Sequence, residues 1–296
     1  MKSIDRIVFG DNQFFGINHM SQDKAQAQAE RFSDMDEIFR VYGYAFDAGI
    51  RAVMLNSNER AVEICDRFRS RKSAFPEIAW YPSIPYPHKY ANIVAERGLI
   101  GAAQNFLFAG GSKSALGKLA KGAMSTLSLD VIGLMKMLVD QEMTMFRGLD
   151  VRVVFLQNIV VDLILGFDVP EPFAEFSKYV RKKYGALPGF ITQNMPFLKA
   201  RLQEWGIAEA VICSSVNRLG YLMSPGREAY EQVLATNDPA EYQMMAMATL
   251  ASGALSAPEA YEYIGALNLQ SVTFGASSKG NIEQTVRLIE GAGIAA

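Results

Sequence analysis

The stretch Ser271-Val-Thr-Phe-Gly-Ala-Ser-Ser-Lys-Gly-Asn-Ile-Glu-Gln-Thr-Val-Arg-Leu-Ile289 reads as a strand, a turn and a helix in immediate succession. Its β-rich run breaks at Gly275, passes two serines and enters a segment with apolar residues at Ile282, Val286 and Ile289, which is helical spacing. A glycine-serine turn at a helix N-terminus leaves backbone N–H groups free and aims a positive dipole outwards, so it suits a phosphate. The same unit recurs towards the N-terminus. Short apolar runs at 7–9, 52–55, 78–81, 151–156, 189–192, 210–213, 244–248 and 272–274 are near-continuous, the habit of parallel strands buried on both faces. Helical patterns fall between them, and eightfold strand–helix alternation specifies a (β/α)8 TIM barrel. An open doubly wound sheet needs no eighth unit and usually carries a glycine-rich first turn, absent here. The stretch from Ser271 would then be strand eight, whose loop in such barrels often holds phosphate.

Helix boundaries follow from capping chemistry. Ser33-Asp-Met-Asp36 has the form of a capping box opening a helix with Ile38, Val41, Tyr42 and Ala45 inward. A helix over 59–72 should bury Val62, Cys65 and Phe68. One over 195–205 stops at Gly206. Ser224-Pro225 suggests a cap and a first-turn proline, and Ser256-Ala-Pro-Glu259 a second capping box.

At 296 residues the chain is expected to be one barrel domain, 1–296. Half of it is hydrophobic and 20% charged, with a formal net charge of -2 and a pI near 5.8, so no broad basic surface points to nucleic acid. Two cysteines in no CxxC pattern suggest a reducing, cytoplasmic setting, and no run of apolar residues is long enough for a membrane span.

One interval breaks the rhythm. The helix before strand four is expected at 130–146, which leaves an extended helical insertion after strand three, 86–129. Its middle holds Lys113, Lys118 and Lys121. It reads either as a lid over an anionic ligand or as a homo-oligomer contact. Gly111 to Lys118 is no P-loop, because Leu119 stands where Ser or Thr is required.

The second half carries a further pattern: Pro188-Gly-Phe-Ile-Thr-Gln-Asn-Met-Pro-Phe-Leu198, then Ala210-Val-Ile-Cys-Ser-Ser-Val-Asn217, Met247-Ala-Thr-Leu-Ala-Ser-Gly-Ala-Leu255 and Phe274-Gly-Ala-Ser-Ser-Lys279. In order and spacing this resembles the aldo-keto reductase superfamily. The resemblance implies a barrel that binds NADP or NAD without a Rossmann domain. It implies cofactor contacts at Gln193 and Asn217, and phosphate contacts at Ser252, Gly253, Gly275, Ser277, Ser278 and Lys279. It also implies an Asp, Tyr, Lys and His tetrad, and there the chain departs. Leu55-Asn-Ser-Asn-Glu59 holds neither the aspartate nor the tyrosine, Trp80-Tyr-Pro-Ser-Ile-Pro85 no lysine, and Leu156-Gln-Asn158 no histidine.

Residues expected at the strand ends must then supply the chemistry. Asp11, Tyr86, His88 and Lys89 are the candidates for proton transfer. Asn12, Asn56, Gln157 and Asn158 are candidates to hydrogen-bond a neutral, polar small molecule. No metal site is expected. The leading reading is an NAD(P)H-dependent oxidoreductase of a polar or sugar-like carbonyl compound. A phosphorylated-sugar lyase or isomerase, and a non-catalytic metabolite-binding barrel, are the alternatives.

Overall fold

The structure, a computed structural model, describes residues 3–15, 22–86 and 131–294. Eight parallel strands surround one axis. They are β1 (Ile7–Phe9), β2 (Ala52–Asn56), β3 (Ala79–Ile84), β4 (Asp150–Val151 continuing as Val153–Leu156), β5 (Leu187–Thr192), β6 (Ala210–Ser215), β7 (Tyr242–Met247) and β8 (Ser271–Phe274). Arg152 joins the halves of β4: its N–H donates to the Trp80 carbonyl at 2.9 Å, and its carbonyl accepts from the Leu187 N–H at 2.8 Å. The sheet closes because β1 pairs with both β2 and β8, while β2 also pairs with β3. This is the (β/α)8 barrel that the alternation calls for.

The helices are α1 (Gln22–Arg31), α2 (Met35–Asp47), α3 (Glu59–Ser70), α4 (Val131–Met143), α5 (Asn158–Gly166), α6 (Glu171–Tyr184), α7 (Met195–Glu204), α8 (Arg227–Ala235), α9 (Ala257–Gly265) and α10 (Lys279–Gly291). Among the described residues no helix is long and apolar enough to cross a membrane. Beyond Tyr86, the insertion expected at 86–129 lies outside the described residues, and with it His88 and Lys89.

Three local expectations are corrected. Helix α2 is capped by Asp34, which accepts from the Asp36 N–H, not by Ser33; α1 runs so close that Ser33 instead donates to the Glu30 carbonyl at 2.6 Å. Helix α8 begins at Arg227, because the Ser224 N–H is drawn to the Gln193 carbonyl at 2.9 Å. On α3 the buried residues are Ala61, Ile64, Cys65 and Phe68, and Val62 faces out. The Ser256–Glu259 capping box and the Gly206 stop, at φ 66°, stand as read.

Strand alternation divides the apolar residues into two layers. Val53, Leu55, Trp80, Val154, Ile212 and Val272 face the helices. Val8, Ala52, Met54, Tyr81, Phe155, Val211, Cys213 and Met245 fill the barrel. Burying each large side chain in this way contributes roughly 1.5–3 kcal/mol. Gly189 lines the same interior, and a Cβ there would come within 2.3 Å of the Phe155 ring. The glycine leaves the volume that the phenyl ring occupies.

The N-terminal end of the barrel is plugged. Ile4 is buried against the inner layer, and its N–H donates to Gln243 Oε1 at 2.7 Å. Tyr81 Oη donates to Asp5 Oδ2 at 2.6 Å, and Ser271 Oγ to the Asp5 carbonyl at 2.7 Å. That leaves the C-terminal ends of the strands as the open mouth.

Candidate active site at the barrel mouth

Where the inner faces of the strands reach the mouth, apolar residues give way to polar ones. Continuing the inward positions of β2, β3 and β4 by one step reaches Asn56, Ser83 and Gln157. These are two amides and a hydroxyl, joined to Asp11 in one network. Asp11 Oδ2 accepts from the Asn56 backbone N–H at 2.7 Å, and Oδ1 from Asn56 Nδ2 at 2.6 Å. Gln157 Nε2 donates to Asn56 Oδ1 and, at 2.8 Å, to Ser83 Oγ.

Asp11 is 2% exposed. Burial in low dielectric disfavours its charged form and outweighs the Asn56 hydrogen bonds that favour it, so its carboxyl is pushed up to about 6. Its charge is felt by two tyrosines. Tyr86, two residues beyond β3, is held above its ordinary value first by burial and then by Asp11. Tyr42, on α2, is shifted the same way for the same two reasons, with a small further push from Cys65. The Tyr42 hydroxyl has no hydrogen-bond partner among the described residues. The Tyr86 N–H donates to Ser57 Oγ at 3.2 Å, which ties the start of the 86–129 segment to the end of β2. The structure thus brings together Asp11, Tyr86, Asn56 and Gln157. Asn12 is exposed in the short turn after β1, and Asn158 opens α5.

The far side of the mouth has a different character. The loop after β7 carries positive φ at Ala248 (50°), Ala251 (46°), Ser252 (59°) and Gly253 (93°). Non-glycine residues held there store strain and cluster at functional loops. After β8, Gly275 lies so close to Gln13 that a Cβ would meet Gln13 Oε1 at 2.1 Å. Gln13 Nε2 donates to the Gly10 carbonyl at 2.8 Å, while its Oε1 is buried with no partner among the described residues. Ser278 caps α10, its Oγ accepting from the Asn281 N–H at 3.3 Å. Ser277 is half-buried; Lys279 is exposed and 3.8 Å from Glu283.

The loops after β5 and β6 use their polar groups internally. Asn217 is fully buried; its Nδ2 donates to the Tyr221 carbonyl at 2.8 Å and its Oδ1 accepts from the Tyr221 N–H at 2.8 Å, so its amide shapes its own loop. The Gln193 side chain is exposed, but its backbone is clamped: its N–H donates to Asp162 Oδ2 at 3.0 Å, and its carbonyl accepts from Tyr230 Oη at 2.9 Å. Asn194 caps α7 through the Phe197 N–H. Sequence reading missed Asp162, which also accepts from Thr192 Oγ1 at 2.5 Å, and Tyr42. A lone carboxylate in the otherwise apolar Ile159–Leu165 run was the available signal for the first. Nothing distinguished the second from a core tyrosine.

No protein-family model matches this sequence. No curated protein matches it either. Solved structures do match. A candidate aldo-keto reductase from Pseudomonas aeruginosa is 10% identical, with 98% of this chain and 91% of that one covered, at a TM-score of 0.60. A candidate 2,5-diketo-D-gluconic acid reductase B is 11% identical over 98% and 82% of the two chains, at a TM-score of 0.55. An aldo-keto reductase from Bacillus halodurans in its holo form is 10% identical over 96% and 86%, at a TM-score of 0.51. At such identities the likeness is one of fold, and it extends over almost the whole chain.

Proposed function

We propose that this chain, whose barrel has the fold of the aldo-keto reductases, is an NAD(P)H-dependent oxidoreductase acting on a polar or sugar-like carbonyl compound. The observation that carries the reading is the division of the mouth. A buried carboxyl whose charge is felt by a tyrosine lies beside amides on the β1–β4 side, while strained and glycine-bearing loops line the β7–β8 side.

The residues on the second side fit a dinucleotide. Ser252, Gly253, Gly275, Ser277, Ser278 and Lys279 would hold its phosphates, with the N-terminus of α10 contributing backbone N–H groups and dipole. The orphaned Gln13 Oε1 beside Gly275 offers a buried acceptor at the same rim. Gln193, exposed at the end of β5, would meet the carboxamide end, with Asn217 holding the neighbouring loop through its own amide. When bound, NAD(P)H supplies a hydride.

This chain's residues would manage the proton. Tyr86 is the described hydroxyl suited to protonating the carbonyl oxygen, with His88 and Lys89 further candidates in the following segment. Its raised value keeps it protonated at neutral pH. Asp11 lies close enough to influence it and, titrating near 6, can take and return a proton in the working range. Asn56, Gln157, Asn158 and Asn12 would orient substrate hydroxyls. The two cysteines, buried and unpaired, are compatible with a cytoplasmic setting.

The test is titration with NADPH, followed by quenching of Trp80 and Trp205 fluorescence and by the melting temperature. Micromolar binding with a positive shift is expected. No NADPH binding, together with stabilisation by sugar phosphates, would replace this reading with a lyase or isomerase.

A further inference from the structure

The hydrogen bonds on the β1–β4 side have a direction. An ionised carboxylate can only accept. One oxygen of Asp11 takes the Asn56 backbone N–H and the other takes the Asn56 side chain, which must therefore present Nδ2. That turns Asn56 Oδ1 towards Gln157. Two acceptors do not face each other, so Gln157 presents Nε2, which uses its two hydrogens on Asn56 Oδ1 and Ser83 Oγ. The Gln157 carbonyl oxygen is left on the other side of its planar amide, with no partner among the described residues.

We propose that Asp11 is a positioning residue that sets the direction of an Asp11–Asn56–Gln157 amide relay, so that Gln157 Oε1 becomes the acceptor offered to a ligand hydroxyl or N–H. A carboxylate or phosphate would oppose this lone pair with one of its own, whereas a hydroxyl or amide N–H of a neutral ligand would donate to it. The inference rests on the proposed function only in taking the mouth as the ligand site, and its test involves no cofactor.

Replacing Asp11 by a neutral amide would allow the relay to reverse. Gln157→Glu sets a carboxylate against Asn56 Oδ1 and is expected to lower the melting temperature. Adding Asp11→Asn lets Asn56 turn over and donate to the new carboxylate. Thermal and urea unfolding at pH 8 of the wild type, D11N, Q157E and the double variant should show the double variant more stable than Q157E. The coupling should be at least tenfold in the unfolding constant. If Q157E alone does not fold, the supporting result is a double variant that folds with Asn56 present but not with Asn56→Ala added; folding in both backgrounds would overturn the proposal. Additive effects, or a double variant no better than Q157E, would overturn the proposal. Simple charge repulsion between positions 11 and 157 is separated by repeating the cycle with Asn56→Ala. The coupling should fall by more than half, and its full persistence counts against the relay.

Discussion

The Asp11 carboxylate is gripped at both oxygens by a single residue, Asn56, through its backbone N–H at 2.7 Å and its side-chain amide at 2.6 Å. A loop residue after β1 is thereby locked to the end of β2. The grip offsets only part of the desolvation, and this leaves a carboxyl that titrates near 6.

The first expectation concerns pH. The Asp11 pKa is about 6 in the folded chain against its ordinary 3.8, so the folded state holds the proton more tightly than the unfolded state. Stability from this group is complete below pH 4 and is lost as pH rises to 6, by about 3 kcal/mol, and then stays level. Asp11→Asn cannot ionise. Its melting temperature relative to wild type should therefore improve between pH 4 and pH 7 and change little above. A difference that is flat across that interval would refute the assignment.

The barrel interior allows a second. Gly189→Ala places a methyl group 2.3 Å from the Phe155 ring and 2.8 Å from Val153 Cγ1. Overpacking at a site closed on all sides should destabilise by about 3 kcal/mol, and Phe155→Leu in the same chain should recover part of it. Urea midpoints measure both.

Tyr86 carries a third. Under the proposed function, Tyr86→Phe should lower kcat by roughly a hundredfold or more while leaving NADPH affinity within about twofold. Equal loss of cofactor binding would make Tyr86 a structural element of the mouth instead of a proton donor.

The β8–α10 turn carries the fourth. Ser278→Ala removes the cap on the Asn281 N–H and should destabilise by about 1 kcal/mol. Lys279→Ala should leave stability nearly unchanged and weaken NADPH binding about fivefold, with a reduced dependence on salt. Calorimetry with NADPH against NADH would show whether the lysine reads the extra phosphate.

The strands were legible because parallel strands buried on both faces leave continuous apolar runs, and the buried stripes of α2 and α10 follow from their spacing. Capping was less readable. Ser33 and Ser224 carry the right chemistry, but α1 crowds the first and the β5 loop recruits the second. At the site, Asp11 stood out as the first carboxylate beyond β1. That Asn217 spends its amide on Tyr221 was hidden, since the partner's position depends on how the loop folds back.

Periodicity and turn chemistry are properties of neighbouring residues, and from them alone the chain is a closed strand–helix repeat with amide-rich strand ends. Which of those amides face one another is settled by barrel closure. Asn56 and Gln157 are joined by a hydrogen bond across 101 positions of sequence. Such a meeting is set by strand register and by the low dielectric into which Asp11 is pressed, and neither is a property of any local segment.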